Sequence, residues 1–267
     1  MKDWDIQINY GIKTGCNEAF IIDSIKRNEI LASCASEEER HKTAEIIRPI
    51  LRGRDIKRYS YEFADQYIIA MFPSRQYNID DYQSLKSYLL SFGIEKLEQT
   101  GKEYVVNGET IKARKKTSNK WFETQDSISY WDEFSKPKII YPNMTKFLPF
   151  VYDTSGMFTN QKCFVITGTH LGYLTAFFNS SLFKFCFADR FPELQGKTRE
   201  LSKIFMDEIP ILTVNDEDEQ VIEKLVQDIQ IEYSVDKAKK IDRFIFDLYH
   251  LSLKEQAYIG FIDYGEK

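Results

Sequence analysis

Cysteine is scarce and scattered, with Cys16, Cys34, Cys163 and Cys186 the only four in 267 residues. They form neither a CxxC pair nor a Cys/His cluster, so neither a disulfide framework nor a zinc site is expected. The three histidines, His41, His170 and His250, lie far apart, and none has the spacing of a Ser/His or Cys/His nucleophilic site. No run of about 18 apolar residues occurs, and the opening MKDWDIQINY lacks the apolar stretch of a signal peptide; a cytoplasmic chain with no membrane partner is expected. Motifs for nucleotide chemistry are missing too. Gly11-Ile12-Lys13-Thr14-Gly15 is too short for a Walker loop and lacks its Gly-Lys-Ser/Thr half. No Asn or Asp is followed by two prolines, so the turn that holds a flipped adenine during methyl transfer is not encoded here.

Apolar residues make up 43% of the chain, and 20 Phe, 16 Tyr and 3 Trp supply large side chains for a core or planar surfaces for a groove. The formal net charge is -5 and argues at first sight against a polyanionic partner. Its distribution reverses that reading. Residues 211–267 hold 7 Lys/Arg against 13 Asp/Glu, which leaves 29 basic and 28 acidic residues in 1–210. Within that neutral part, Arg48 to Arg58 contains five basic residues and one acid, and Lys112 to Lys120 contains five basic residues and no acid. Local patches set the potential that a phosphate backbone feels, whereas a distant acidic segment is screened over roughly 10 Å.

Along the chain, short β-prone stretches flank the Gly11/Gly15 turn, with Asn17 placed to cap a brief helix before Phe20. A polar helix is expected around 36–47, stopping before Pro49, and a buried strand around 65–72. One helix is expected over Tyr82 to Leu97, weakened at Gly93. Asn107-Gly108 between two β-like runs signals a hairpin. KPKIIYPN reads as a strand, and FVYDTSGMFTNQKCFVIT as a further hairpin or paired strand set with Ser155-Gly156 at its turn. After Gly168 the period changes to helical. An apolar helix from His170 onward breaks near Asn179-Ser180, and two amphipathic stripes follow, Val221–Ile229 and Ile241–Leu251. One returning strand is expected near Ile209–Leu212. The fold class is therefore α+β, a mixed α/β body over residues 1–165 followed by a mostly helical region over 166–267.

Asp55-Ile56-Lys57 fits an Asp-x-Lys nuclease pattern, but two flanking arginines make a salt-bridged turn or a phosphate contact the simpler reading. No catalytic or metal-binding residue is assigned, and no cofactor is expected in this chain. Arg52, Arg54, Lys57 and Arg58 surround Gly53, whose size permits close backbone approach; they read as DNA contacts or as a solvated charged loop. Lys112, Arg114, Lys115, Lys116, Asn119 and Lys120 lead into Trp121, a combination that can hold a backbone and present a stacking side chain, unless Trp121 is a core anchor.

Five segments, GIKTGCNEAFII (11–22), IIRPILRGRDIKRY (46–59), RKKTSNKWFETQDSISYWDEFSKPKIIYPN (114–143), YLTAFFNSSLFKF (173–185) and DEIPI (207–211), resemble in order the TaqI-like C-terminal specificity domain of type IIG restriction-modification enzymes with an N6-adenine methyltransferase half. The 173–185 segment also resembles the helix that follows a recognition domain in type I specificity subunits, which makes the expected fold similar to half of such a subunit. The resemblance implies a double-stranded DNA partner, together with methyltransferase and nuclease domains of the same enzyme, attached or separate. Those domains would use S-adenosylmethionine and Mg²⁺. It also implies that Lys13, Thr14 and Asn17 belong to an entry motif that is structural, shapes a DNA-facing loop or meets the catalytic half, and that Arg52, Arg54 and Lys57 are DNA contacts. The alternative reading is a protein-docking scaffold without direct base readout.

Overall fold

The runs Lys138–Pro142 and Cys163–Gly168 are apolar along almost their whole length, the pattern of strands covered on both faces. In the computed structural model, which describes residues 1, 3–187 and 190–262, these two runs are the centre of a four-stranded antiparallel sheet. Its order is Ile6–Tyr10, Cys163–Gly168, Lys138–Pro142, Val151–Asp153. The sheet belongs to the first of two compact units, made of Met1–Gly11, Arg52–Glu62 and Glu133–Lys267.

Helix Leu171–Asn179 packs on this sheet and on helices Asp216–Ile231 and Val235–Leu248, and every one of its residues is buried. Its polar members are satisfied internally. The Thr175 hydroxyl donates to the Leu171 carbonyl at 2.7 Å, and the Asn179 amide both donates to the Phe150 carbonyl and accepts from the Phe150 N–H. A buried polar group with its partners in place avoids the penalty of an orphaned one. Phe177, Phe178 and Phe183 form the aromatic centre of this core together with Phe150. The Asp216–Ile231 helix starts at Asn215, whose side chain accepts from the Asp218 N–H, and four acids fill its first turn. Much of the C-terminal negative charge is thus placed where a helix N-terminus favours it.

The second unit comprises Ile12–Leu51 and Phe63–Asp132. Strand Tyr67–Ile69 pairs antiparallel with Ile21–Ile22 on one edge and Ile47–Leu51 on the other. Helices Ser24–Ala32, Glu37–Ile46, Gln83–Leu90 and Ile94–Leu97 surround a core that includes Phe20, Ile69, Leu85 and Leu89. Helix Glu37–Ile46 ends just before Pro49, as the restriction on the residue preceding proline requires, and the chain continues as a strand. The hairpin Glu103–Val106/Glu109–Lys112 turns at Asn107-Gly108, both at positive φ (51° and 84°), the conformation of a type I′ turn.

The α+β expectation holds: a mixed α/β body precedes a mostly helical C-terminal region. Four local expectations change. Val151–Asp153 and Cys163–Gly168 do not pair with each other around Ser155-Gly156; both border Lys138–Pro142, so that this buried strand has ladder partners on both edges. Ile209–Leu212 forms no ladder, because Pro210 lacks a donor and the neighbouring groups bond elsewhere; the Met1 ammonium donates to the Ile209 carbonyl at 2.6 Å. The helix expected over 82–97 is two helices, broken at Gly93 with φ 84°. Asn17 is not the cap residue of helix Asn17–Phe20 but its first position.

Candidate nucleic-acid interface

Arg52 starts a single turn, Gly53–Asp55, that hangs from the end of a strand. The buried Asp55 carboxylate accepts from the Arg52 backbone N–H at 2.8 Å and from the Arg52 guanidinium at 2.7 Å. This closed loop of bonds fixes the turn and engages both oxygens of the Asp55 carboxylate. Among the described residues, no group of three or more His, Cys, Asp or Glu side chains is placed to hold a metal ion. Gly53 is small for the sake of the protein itself: a Cβ there would stand 3.0 Å from the Lys162 carbonyl oxygen. That close approach sets the 52–57 turn beside 142–149 and 160–162.

Between these three segments lies a concavity of about 560 Å³. Arg52, Arg54, Lys57, Lys146 and Lys162 line it, and among the described residues lining it there is no Asp or Glu. Arg54, Lys146 and Lys162 are exposed and make no ion pair among the described residues, whereas Arg52 is held by Asp55 and Lys57 lies 3.8 Å from Glu62. Asn143 and Asn160 add amide groups, and the half-exposed Met144 and Phe147 add apolar surface. Such a surface can accept an anionic polymer, with arginine forks and lysine point charges on phosphate oxygens and amides near base edges. Lys146 and Lys162 escaped the sequence reading because each stands alone in its segment. The bond from the Asn143 N–H to the Lys162 carbonyl, 2.8 Å, brings the segments together, and strand register of that kind leaves no local signal.

Arg58 behaves differently from its neighbours. It is buried, and its guanidinium donates to the Asn179 carbonyl at 2.8 Å and to the Tyr233 hydroxyl at 3.4 Å. Its position makes it a fastener of the helical core.

In the second unit, Arg114 is the centre of the other basic segment and is also buried. It donates to the carbonyls of Leu97, Thr14, Glu123 and Trp121 at 2.6–2.9 Å, which occupies four of its five N–H donors. Burial pushes its guanidinium down to about 10, still charged at neutral pH. The entry motif is fastened to the same loop: the Lys13 carbonyl accepts from the N–H groups of Gln125 and Asp126. Gly15, at φ 78°, leaves room that a Cβ would take from Arg114 and Gln125. Thr14 is buried and its hydroxyl donates to the exposed Asn17 side chain at 2.7 Å. Burial raises the Asp126 carboxyl, and the nearby Lys13 charge opposes that rise. Residues 13–17 and 112–121, a hundred positions apart, are thus brought together, with Arg114 bonded to the Thr14 carbonyl and packed at Gly15.

The rest of that loop is equally ordered. The Asn119 amide donates to the carbonyls of Thr124 and Gln125, and the Gln99 amide donates to those of Lys120 and Glu123. Trp121 is half-buried against the unit's core, edge-on to Phe122, which makes it an anchor with one face turned out. Lys112, Lys115, Lys116 and Lys120 remain exposed, with no ion pair among the described residues, and Lys13 is partly exposed. Neither the first basic segment nor the second therefore acts as a uniform patch: each has one arginine turned inward as a structural pin.

The TaqI-like C-terminal specificity domain matches residues 48–211 of this chain. The chain belongs to that family. This specificity domain is also similar in fold to two solved structures. The type IIL restriction-modification enzyme MmeI in complex with DNA matches at TM-score 0.61 and 10% identity over 95% of this chain and 34% of that one. The type IIG restriction endonuclease BpuSI matches at TM-score 0.52 and 12% identity over 91% of this chain and 30% of that one. The domain thus spans about a third of the length of the structures it matches. No match was found among curated proteins. Among the described residues, no helix is long and apolar enough to cross a membrane.

Proposed function

We propose that this specificity domain recognises a short sequence in double-stranded DNA as the target-recognition part of a type IIG restriction-modification enzyme. It would position the site for N6-adenine methylation and cleavage by other domains in the cytoplasm. Methyl transfer from S-adenosylmethionine and Mg²⁺-dependent cleavage would be supplied by those domains, attached or separate. The observation that carries this reading is the concavity with five cations and no acid, built by a turn, a strand end and a loop inside a TaqI-like specificity domain. Arg54, Lys57, Lys146 and Lys162 are the phosphate contacts of this proposal, joined by Lys112, Lys115, Lys116 and Lys120 on the second unit. Arg52 is a base or phosphate contact held in place by Asp55. Arg58 and Arg114 support these surfaces from inside.

Duplex binding measured from 50 to 200 mM salt tests the proposal. Each phosphate contact contributes about -0.9 to the slope of log K against log salt. The triple variant R54Q/K146Q/K162Q is expected to bind all duplexes more weakly and with a shallower slope. Binding by the folded domain that is absent or insensitive to salt, also when it is combined with its catalytic domains, would reject the reading.

One observation favours a docking role elsewhere on the same unit. An apolar hollow of about 260 Å³, bounded by Phe177, Leu182, Cys186, Ile211, Leu212 and Tyr249, opens on the helical region. The protein-docking alternative would use that surface and predicts that charge variants at 112–120 leave recognition unchanged.

A further inference from the structure

We infer that the hairpin 103–112 is a groove-reading ribbon whose distal residues, Val105, Asn107, Glu109 and Thr110, determine which base pairs are accepted. The inference rests on the DNA-recognition reading above and assigns to it residues outside both basic segments.

The hairpin is held firmly at one end and left bare at the other. At its base the Tyr104 hydroxyl donates to the Glu98 carboxylate at 2.5 Å, the Ala113 N–H donates to the Lys102 carbonyl, and the Gly101 N–H donates to the Arg114 carbonyl. Arg114 is itself clamped by four carbonyls, so the ribbon grows out of a tightly bonded part of the second unit. Tyr104, Val106 and Ile111 are partly covered. The turn and the other side chains are bare: Val105 is 77% exposed, Asn107, Gly108, Glu109 and Thr110 are exposed, and a Cβ on Gly108 would meet nothing within 4 Å. A β-branched valine that is 77% exposed, directly across from a threonine in the Val105↔Thr110 pair, contributes nothing to the unit's core.

Dimensions and charge together point to a duplex as the occupant. Arms of four residues at about 3.4 Å per residue reach about 14 Å from base to tip. The major groove is about 12 Å wide and 8.5 Å deep and admits a two-stranded ribbon. A ribbon of that reach would put the tip at the groove floor with the base near the phosphates. Lys102, Lys112, Lys115 and Lys116 stand at the base, exposed and with no ion pair among the described residues, beside one exposed acid, Glu103, the register partner of Lys112, so the base is net positive. The tip carries no cation and one acid, Glu109. A carboxylate at a phosphate-facing tip would be repelled, but at a base edge it accepts from cytosine N4. The other tip groups fit the same edge code: the Asn107 amide matches the adenine pattern, and the methyls of Val105 and Thr110 match the thymine methyl.

The test selects bound sequences from a pool of randomised duplexes with the full chain, and again with E109Q, T110A and N107G, the last preserving the positive-φ turn. K115Q/K116Q is the comparison variant, and circular dichroism with melting checks that each variant is folded. The tip variants are expected to keep affinity for unrelated duplex and its salt dependence, while discrimination at one or two positions of the selected site falls roughly 5- to 150-fold. K115Q/K116Q is expected to weaken selected and unrelated duplexes alike. Folded tip variants that select the same site with undiminished discrimination would overturn the ribbon assignment and leave the DNA-recognition reading standing. Failure of the unaltered chain to select any sequence, alone and with its catalytic domains, would overturn both.

Discussion

Arginine 114 and lysine 162 show how little residue type says about role. Arg114 sits in the densest run of positive charge in the chain, yet its guanidinium lies inside the fold and satisfies four backbone carbonyls. Lys162 has no basic neighbour in sequence, yet it faces a concavity with four other cations. Arg114→Ala is expected to orphan those carbonyls and to destabilise the fold by about 3 kcal/mol or more, with melting lowered by several degrees. Lys162→Ala should leave melting within error and lower duplex affinity at low salt. A melting curve for each variant checks the contrast, and equal effects on stability would contradict the roles assigned. The buried pair Lys138 to Asp153, 2.6 Å apart and almost fully covered, belongs to the first type. Lys138→Met, which leaves a buried carboxylate without its cation, is expected to cost about 3–5 kcal/mol, measured by denaturant unfolding.

Elements were more legible than side-chain roles where the signal is local. Asn107-Gly108 specified its hairpin because an Asn-Gly pair readily adopts the two positive φ values of a type I′ turn, whose twist matches that of the strands, and the helix after Ser36 has a capping serine with three acids behind it. The segment 151–167 was misread because a turn dipeptide such as Ser155-Gly156 marks a reversal without naming the partner strand. The partner was decided by the need of Lys138–Pro142 for bonds on both edges. Helix Val235–Leu248 offers a pH test at this scale. Burial pushes the Asp242 carboxyl up, against hydrogen bonds from Ser181 and the charges of Arg58 and Lys184, which lower it. A carboxyl raised in the folded state contributes stability that is present at pH values below its unfolded pKa and is lost as pH rises through the folded one. The stability of the parent relative to Asp242→Asn should therefore fall as pH rises from the acid side through the carboxylate range. Paired melts between pH 3 and 7 measure the difference, and a gap that widened with pH would reverse the sign assigned to Asp242.

For the whole molecule, charge distribution matters more than its sum. A chain of net charge -5 opens the Asp216–Ile231 helix with four acids, while Lys112, Lys115, Lys116, Lys120, Lys146 and Lys162, exposed and with no ion pair among the described residues, lie on the two DNA-facing surfaces proposed here. The two surfaces belong to different compact units, which makes their cooperation on one duplex a measurable property. If both grip the same duplex, R54Q/K146Q/K162Q and K112Q/K115Q/K116Q should each make the salt slope shallower, and the six-fold variant should show the sum of the two changes. A slope that responds to only one set would confine phosphate contact to that unit. The family match extends over this scale: strand Lys138–Pro142, the Gly53 turn and the buried Leu171–Asn179 helix all lie within the residues 48–211 that the TaqI-like specificity domain matches.

By itself the sequence determined the type of most elements, the two concentrations of positive charge and the Asn107-Gly108 hairpin, because capping, turn geometry and periodicity act over a few residues; the specificity-domain family was legible separately, as a resemblance of ordered segments. Tertiary structure decided which arginines turned inward and that Lys146 and Lys162 joined the 52–57 turn. It also decided that residues 13–17 share a surface with 112–121. Those outcomes depend on burial and on strand register between distant segments, and neither is expressed in the spacing of residues along the chain.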